Sequence, residues 1–146
     1  MCFKHAYCII AHHQWVLLKK LIGLLDDDEN DLYLHIDAKS IEDFHRFGGI
    51  KTNHSSLIII DNPIDVEWSD VSLCDAEVSL FKKVLESNVG YQYVHLISGE
   101  DLPLMNQNKI HDYFKNREEP YTIKRYAKAA FVFPLLFQIE RLKPAR

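Results

Sequence analysis

Four short polar stretches in this 146-residue chain carry groups with which a protein does chemistry. They are His12-His13, then Asp37 with Lys39 and Ser40, then Asp61-Asn62 with the loop that delivers Trp68, and finally Ser98-Gly99-Glu100-Asp101. Each follows a mostly apolar run: HAYCIIA, DLYLHI, LIII and YVHLI. If those runs are strands of one parallel sheet, imidazoles, carboxylates, an ammonium and an indole gather at one rim. Ligands of open α/β sheets bind there, outside the carboxyl ends of the strands. The last stretch is ambiguous. A glycine, two acids and Pro103 read either as chemistry presented by the sheet or as a plain Gly-Asp-Pro turn.

Several familiar chemistries are excluded. No GxGxxG follows the first strand and no GxxxxGK[ST] occurs, so neither a dinucleotide fingerprint nor a P-loop is present. A GxSxG nucleophile elbow is also absent. His12, His13, His35 and His95 lack HExxH spacing and read as core or rim imidazoles, not metal ligands. Asp26-Asp27-Asp28 has the look of a DxD metal site but ends a helix, where a solvated acidic cap is expected.

The elements that must position these groups follow from periodicity. Residues 5–11 form a near-continuous apolar run, as expected for a parallel strand covered on both faces. Residues 14–25 place apolar side chains at helical spacing, and strands follow at 31–36, 57–60 and 91–98. A helix over 41–47 is terminated by Gly48-Gly49. A further helix is expected with its apolar stripe at 71, 74, 78, 81 and 85, and Ser72 with Asp75 as an N-cap pair. This alternation predicts an α/β fold with a Rossmann-like, mainly parallel sheet and flanking helices.

A net charge of −4 argues against a nucleic-acid partner, which needs a basic face. The charge is uneven: residues 1–120 hold 11 basic and 20 acidic side chains, whereas 121–146 hold six basic and one acidic. The chain therefore divides into a domain over 1–124 and an apolar, basic tail over 125–146. Cys2, Cys8 and Cys74 are an odd number without CxxC spacing, and Cys8 and Cys74 read as small buried hydrophobes. No signal peptide or membrane-spanning run is visible, so a cytoplasmic protein is the expectation, with peripheral membrane association through the tail as an alternative.

AYCIIAHH, LYLHIDAKS, VEWSDVSLCDAEVSL and YQYVHLISGEDLPL, in this order and spacing, resemble the core-2/I-branching glycosyltransferases, over about residues 5–116. That family includes branching N-acetylglucosaminyltransferases and peptide O-xylosyltransferases on a GT-A nucleotide-sugar fold. The resemblance implies a UDP-sugar donor, an acceptor hydroxyl of unspecified identity, inversion at the anomeric carbon and no metal cofactor. Carried over position by position, it implies that Asp37 lies against the uridine and that Lys39 offsets diphosphate charge. Trp68 would stand near the sugar, and His12 would close the first strand. Ser98, Glu100 and Asp101 would wall the donor site where other GT-A enzymes hold a cation.

The sequence departs from the family in two places. Ser69 and Asp70 replace a usual pair of glycines after the tryptophan, which puts the shape of that loop and the sugar preference in question. The resemblance implies that the catalytic base and the basic groups that replace the metal would come from a second half of the family domain that no residues here match, so no catalytic residue is assigned. The tail, YAKAAFVFPLLFQIERL, is expected to be a helix broken near Pro134, or an interfacial anchor. The alternative to an enzyme is a non-catalytic remnant that binds UDP or a protein partner.

Overall fold

A computed structural model describes residues 3–67, 70–116 and 137–139. Strand β1 (His5–Ala11) is the middle of the sheet. Strand β2 (Asn30–Ile36) lies on one side of it and β3 (Ser56–Ile59) beyond that. Strand β4 (Tyr93–Ser98) lies on the other side, so the order is β3-β2-β1-β4, and these four strands are parallel. A fifth strand, β5 (Phe137–Ile139), runs antiparallel along the outer edge of β4. The predicted Rossmann-like α/β architecture is present.

Helix α1 (Trp15–Leu25) and helix α2 (Ile41–Phe47) cover one face. Leu18, Leu21, Ile22 and Leu25 of α1 and Phe44 of α2 pack on Tyr7, Ile9 and Ala11 of β1 and Leu32, Leu34 and Ile36 of β2. Each such aliphatic side chain, fully withdrawn from water, contributes about 1.5–3 kcal/mol. Helix α3 (Ser72–Glu86) covers the other face, where Leu80 and Val84 meet Ala6, Cys8, Tyr33 and Leu96. Both faces of β1 are thus buried, which is why its sequence shows no alternation. Gly48 caps α2 at φ +93°, a conformation that suits glycine.

Helix α3 differs from expectation. Its buried line is Ser72, Ala76, Leu80 and Val84, rotated away from the expected stripe, of which Phe81 alone packs partly against the core. Val71, Val78 and Leu85 are exposed, and so is Cys74, which is not the buried hydrophobe its sequence context suggested. Leu80 and Val84 seat the helix on Ala6, Cys8, Tyr33 and Leu96, and Ser72 and Ala76 continue that buried line toward its amino end. Ser72 is the first helical residue and not the cap. Its hydroxyl accepts the Glu67 N–H at 2.9 Å, while the Asp70 carboxylate accepts the Ser72 N–H at 3.4 Å.

The acid-rich end of α1 also departs from a merely solvated cap. Asp26 accepts backbone N–H bonds from Asn53, His54 and Ser55 at 2.7–2.9 Å and clamps the loop before β3. The slight burial of its carboxyl pushes the pKa up, but those bonds outweigh it and hold the group below the ordinary carboxylate range.

Helix α4 (Gln107–Lys115) docks near the amino ends of the strands. His111 is held by Asn30 Oδ1 at 2.9 Å and Glu29 at 2.8 Å, and the Gln107 amide bridges Asn30 and the Leu24 carbonyl. The His111 and Phe114 rings meet His5, whose Nδ1 lies 3.1 Å from His95 Nε2. Of the tail, only the backbone of 137–139 is described, and it is a strand where a helix was expected. The rest of 125–146 lies outside the described residues. No described helix is long and apolar enough to cross a membrane.

Candidate functional site

The strand order reverses at β1: the chain steps outward through β2 and β3, then returns to the other side of β1 as β4. A crevice at such a switch point, at the carboxyl ends of the strands, is the favoured ligand position of open α/β sheets. The ladder continues one step past each central strand. Asp37 donates its N–H to the Ala11 carbonyl at 2.9 Å, and Gly99 donates to the Ile10 carbonyl at 2.8 Å. Those bonds fix the β2 and β4 exits on either side of His12.

The glycine in Ser98-Gly99-Glu100-Asp101 serves packing. A Cβ on Gly99 would stand 2.7 Å from Ala11 Cβ and 3.3 Å from both Ala11 Cα and Leu18 Cδ1. Only a hydrogen fits between the exits of β4 and β1. The turn after it satisfies itself: Asp101 N–H donates to the Ser98 carbonyl, the Asp101 carboxylate accepts the Ser98 N–H at 2.8 Å, and Ser98 Oγ accepts the Glu100 N–H at 3.2 Å. Ser98 and Asp101 therefore build the turn, and Glu100 reaches outward to His13 Nδ1 at 3.0 Å. The His12 and His13 rings stack at 3.9 Å. Gln14, at φ 57°, turns the chain sharply from them into α1.

Asp37 is 5% exposed and its Oδ1 accepts the Lys39 N–H at 2.9 Å, capping the short turn Ala38–Ser40. No other described residue donates to its carboxylate. Lys39 extends over the loop after β3, with its Nζ 2.6 Å from Asp65 and 2.9 Å from the Val66 carbonyl. The hydrogen bond to Asp65 raises the Lys39 pKa, so its charge is firmly held.

Two more bonds stitch that loop to the β2 exit. Ile64 N–H donates to His35 Nε2 at 2.9 Å, and Ala38 N–H donates to the Ile64 carbonyl at 3.1 Å. His35 must be neutral to accept, and burial lowers its pKa accordingly, against a weaker opposing pull from Asp37. The loop so fixed leads to Trp68, which lies outside the described residues.

The structure thus brings His12, Asp37 and Glu100 to one crest and sets Lys39 beside it, tied to Asp65. Asp61 stands apart, exposed and 3.9 Å from Lys83 of α3. Sequence reasoning did not single out His13 as the partner of Glu100, nor His35 as the anchor of the loop. The doubled histidine was the available signal for the first. The second needs a contact across 29 residues that no local pattern records.

A family model described as Core-2/I-Branching enzyme matches residues 5–129. The chain belongs to the core-2/I-branching enzyme family. Among curated relatives, a beta-1,3-galactosyl-O-glycosyl-glycoprotein beta-1,6-N-acetylglucosaminyltransferase of Bos taurus is 26% identical over 74% of this chain and 26% of its own length. A Mus musculus enzyme of the same description, numbered 4, is 25% identical over 74% of this chain and 24% of its own. An N-acetyllactosaminide beta-1,6-N-acetylglucosaminyl-transferase of Mus musculus is 23% identical over 77% and 28%. The chain spans about a quarter of the length of the curated relatives it matches.

Proposed function

We propose that this chain forms the donor-binding part of a β-1,6-N-acetylglucosaminyltransferase. The reaction is transfer of N-acetylglucosamine from a UDP-sugar to an acceptor hydroxyl, with inversion and without a required divalent cation. The observation that carries the reading is the meeting of the β1, β2 and β4 exits at the one place where the strand order reverses, in a chain of this family. The names of its relatives support the sugar.

In this reading Asp37 is the uridine contact. One carboxylate oxygen is used on Lys39 N–H, which fixes the group, and the other accepts from the base or ribose. Lys39 supplies positive charge to the diphosphate as it leaves, exchanging its contact with Asp65 for phosphate oxygens. Trp68, four residues beyond the Ile64 that His35 anchors, offers an aromatic face to the sugar or uracil. Acceptor binding and the general base that takes the hydroxyl proton are assigned to sequence beyond the matched quarter of the relatives.

The test is a thermal-shift and calorimetric titration of the purified chain with UDP, repeated with chelator and with manganese. A saturable response that survives chelation and is weakened in Asp37→Ala is expected. A clean melt with no response to UDP would remove the donor-site reading, and binding lost on chelation would remove its metal independence.

A further inference from the structure

His12, His13 and Glu100 offer three ligand atoms that lie within 4.8 Å of one another. They come from two strand exits that are 87 residues apart in sequence and locked side by side by the Gly99 N–H bond to the Ile10 carbonyl. The backbone under the cluster is therefore fixed, and two of its three side chains reach into solvent. His13 is 51% and Glu100 45% exposed.

From this geometry we propose a binding site for one borderline divalent transition cation, of the zinc class, formed by His12, His13 and Glu100 across the β1/β4 crevice. Two imidazole nitrogens and one carboxylate oxygen are a donor set that zinc, cobalt, nickel and copper accept readily. Magnesium and calcium prefer all-oxygen shells, and manganese is the weakest of the first-row series. A tetrahedral centre with bonds of about 2.0–2.1 Å holds its ligands about 3.4 Å apart. The His13 and Glu100 atoms already stand 3.0 Å apart. His12 has to close the remaining gap, with the stacked rings splaying so that both nitrogens face one point. Asp101 is not a further ligand, because its carboxylate is engaged by the Ser98 N–H. The fourth position is left to water.

The cation would cross-link the two exits and stabilise the turn that follows β4. A second carboxylate–imidazole group, Asp27, Glu29 and His111, does not qualify. The Lys115 ammonium holds both Glu29 oxygens at 2.8 and 2.9 Å, in the place a cation would need.

The inference does not depend on the donor reading, since it is tested without UDP. The purified metal-free chain is titrated with cobalt, followed by its visible ligand-field bands, and with zinc by calorimetry and melting. One-to-one binding is expected, with a rise in Tm, weakened at least about tenfold in both His13→Ala and Glu100→Gln. Both side chains are half in solvent, so the variants are expected to fold, and their metal-free melts check this. Cys74→Ser and His54→Ala control for an exposed thiol and for a histidine 3.4 Å from Asp28 elsewhere on the surface. Binding that is absent, that persists unchanged in His13→Ala and Glu100→Gln, or that magnesium matches would overturn the proposal.

Discussion

Asp37 has one oxygen committed to the fold and one offered to a ligand, so its substitutions separate the two roles. Asp37→Ala should cost about 1 kcal/mol of stability through loss of the cap on Lys39 N–H, and should weaken UDP binding at least tenfold. Asp37→Asn keeps an acceptor for that N–H, so it should melt close to wild type and still bind UDP less well. Equal affinity in both variants would take Asp37 out of the site. His5, His35 and His95 make a separate prediction. Burial, reinforced by the neighbouring imidazoles, lowers the pKa of His5 to about 3 and that of His95 to about 4, and burial lowers His35 as well. His5 faces His95, His111, Lys115, Tyr7 and Tyr93, an array that leaves an added proton poorly compensated. All three are neutral when folded, whereas the unfolded chain takes up protons near pH 6.5. Stability is therefore full above that pH and falls as pH drops toward the folded values. Between about pH 7 and 5.5, His5 and His95 should each remove about 1 kcal/mol, read as a falling midpoint in urea titrations. A flat profile would mean those imidazoles are not buried neutral.

The close contact of β4 with β1 makes Gly99 the most sensitive point of the crest. Gly99→Ala forces a methyl against Ala11 Cβ and Cα, neither of which can rotate away. We expect a loss of about 1–3 kcal/mol and a displaced Glu100, measured by denaturant unfolding. If Gly99→Ala melts like wild type, the exits are not as tightly apposed as described. This requirement also shows what was legible in the chain. The strands were readable because both faces of β1 and β2 are buried, leaving mostly apolar runs. The glycine was readable as significant, but not its cause, because Ala11 and Leu18 are 88 and 81 residues away in sequence. Helix α3 misled for a physical reason. The helix carries two apolar lines, and the one that packs, through Leu80 and Val84, is completed by Ser72 and Ala76, which an apolar count overlooks. At the crest, Asp37, His12 and Glu100 were visible as polar breaks after apolar runs. The tie between Lys39 and Asp65 was not, because surface charges pair by geometry that local sequence does not encode.

β5 occupies the outer edge of β4, pairing Val94 with Ile139 and Leu96 with Phe137. Removal of residues 137–146 should leave an open edge strand in a protein that already exposes Val71, Val78 and Leu85 on α3. Aggregation on storage, followed by light scattering, is the expected outcome, and a monomeric truncated chain would show that β5 protects nothing. The sheet order also has a consequence in time. β1 is made first, yet its second neighbour, β4, emerges only after some 80 further residues. At ribosomal speeds of roughly 5–20 residues per second, the middle strand waits about 4–16 seconds with one side unpaired. During synthesis the nascent chain therefore presents one edge of its central strand unpaired until β4 arrives. The crest cannot exist until the ribosome has passed Glu100.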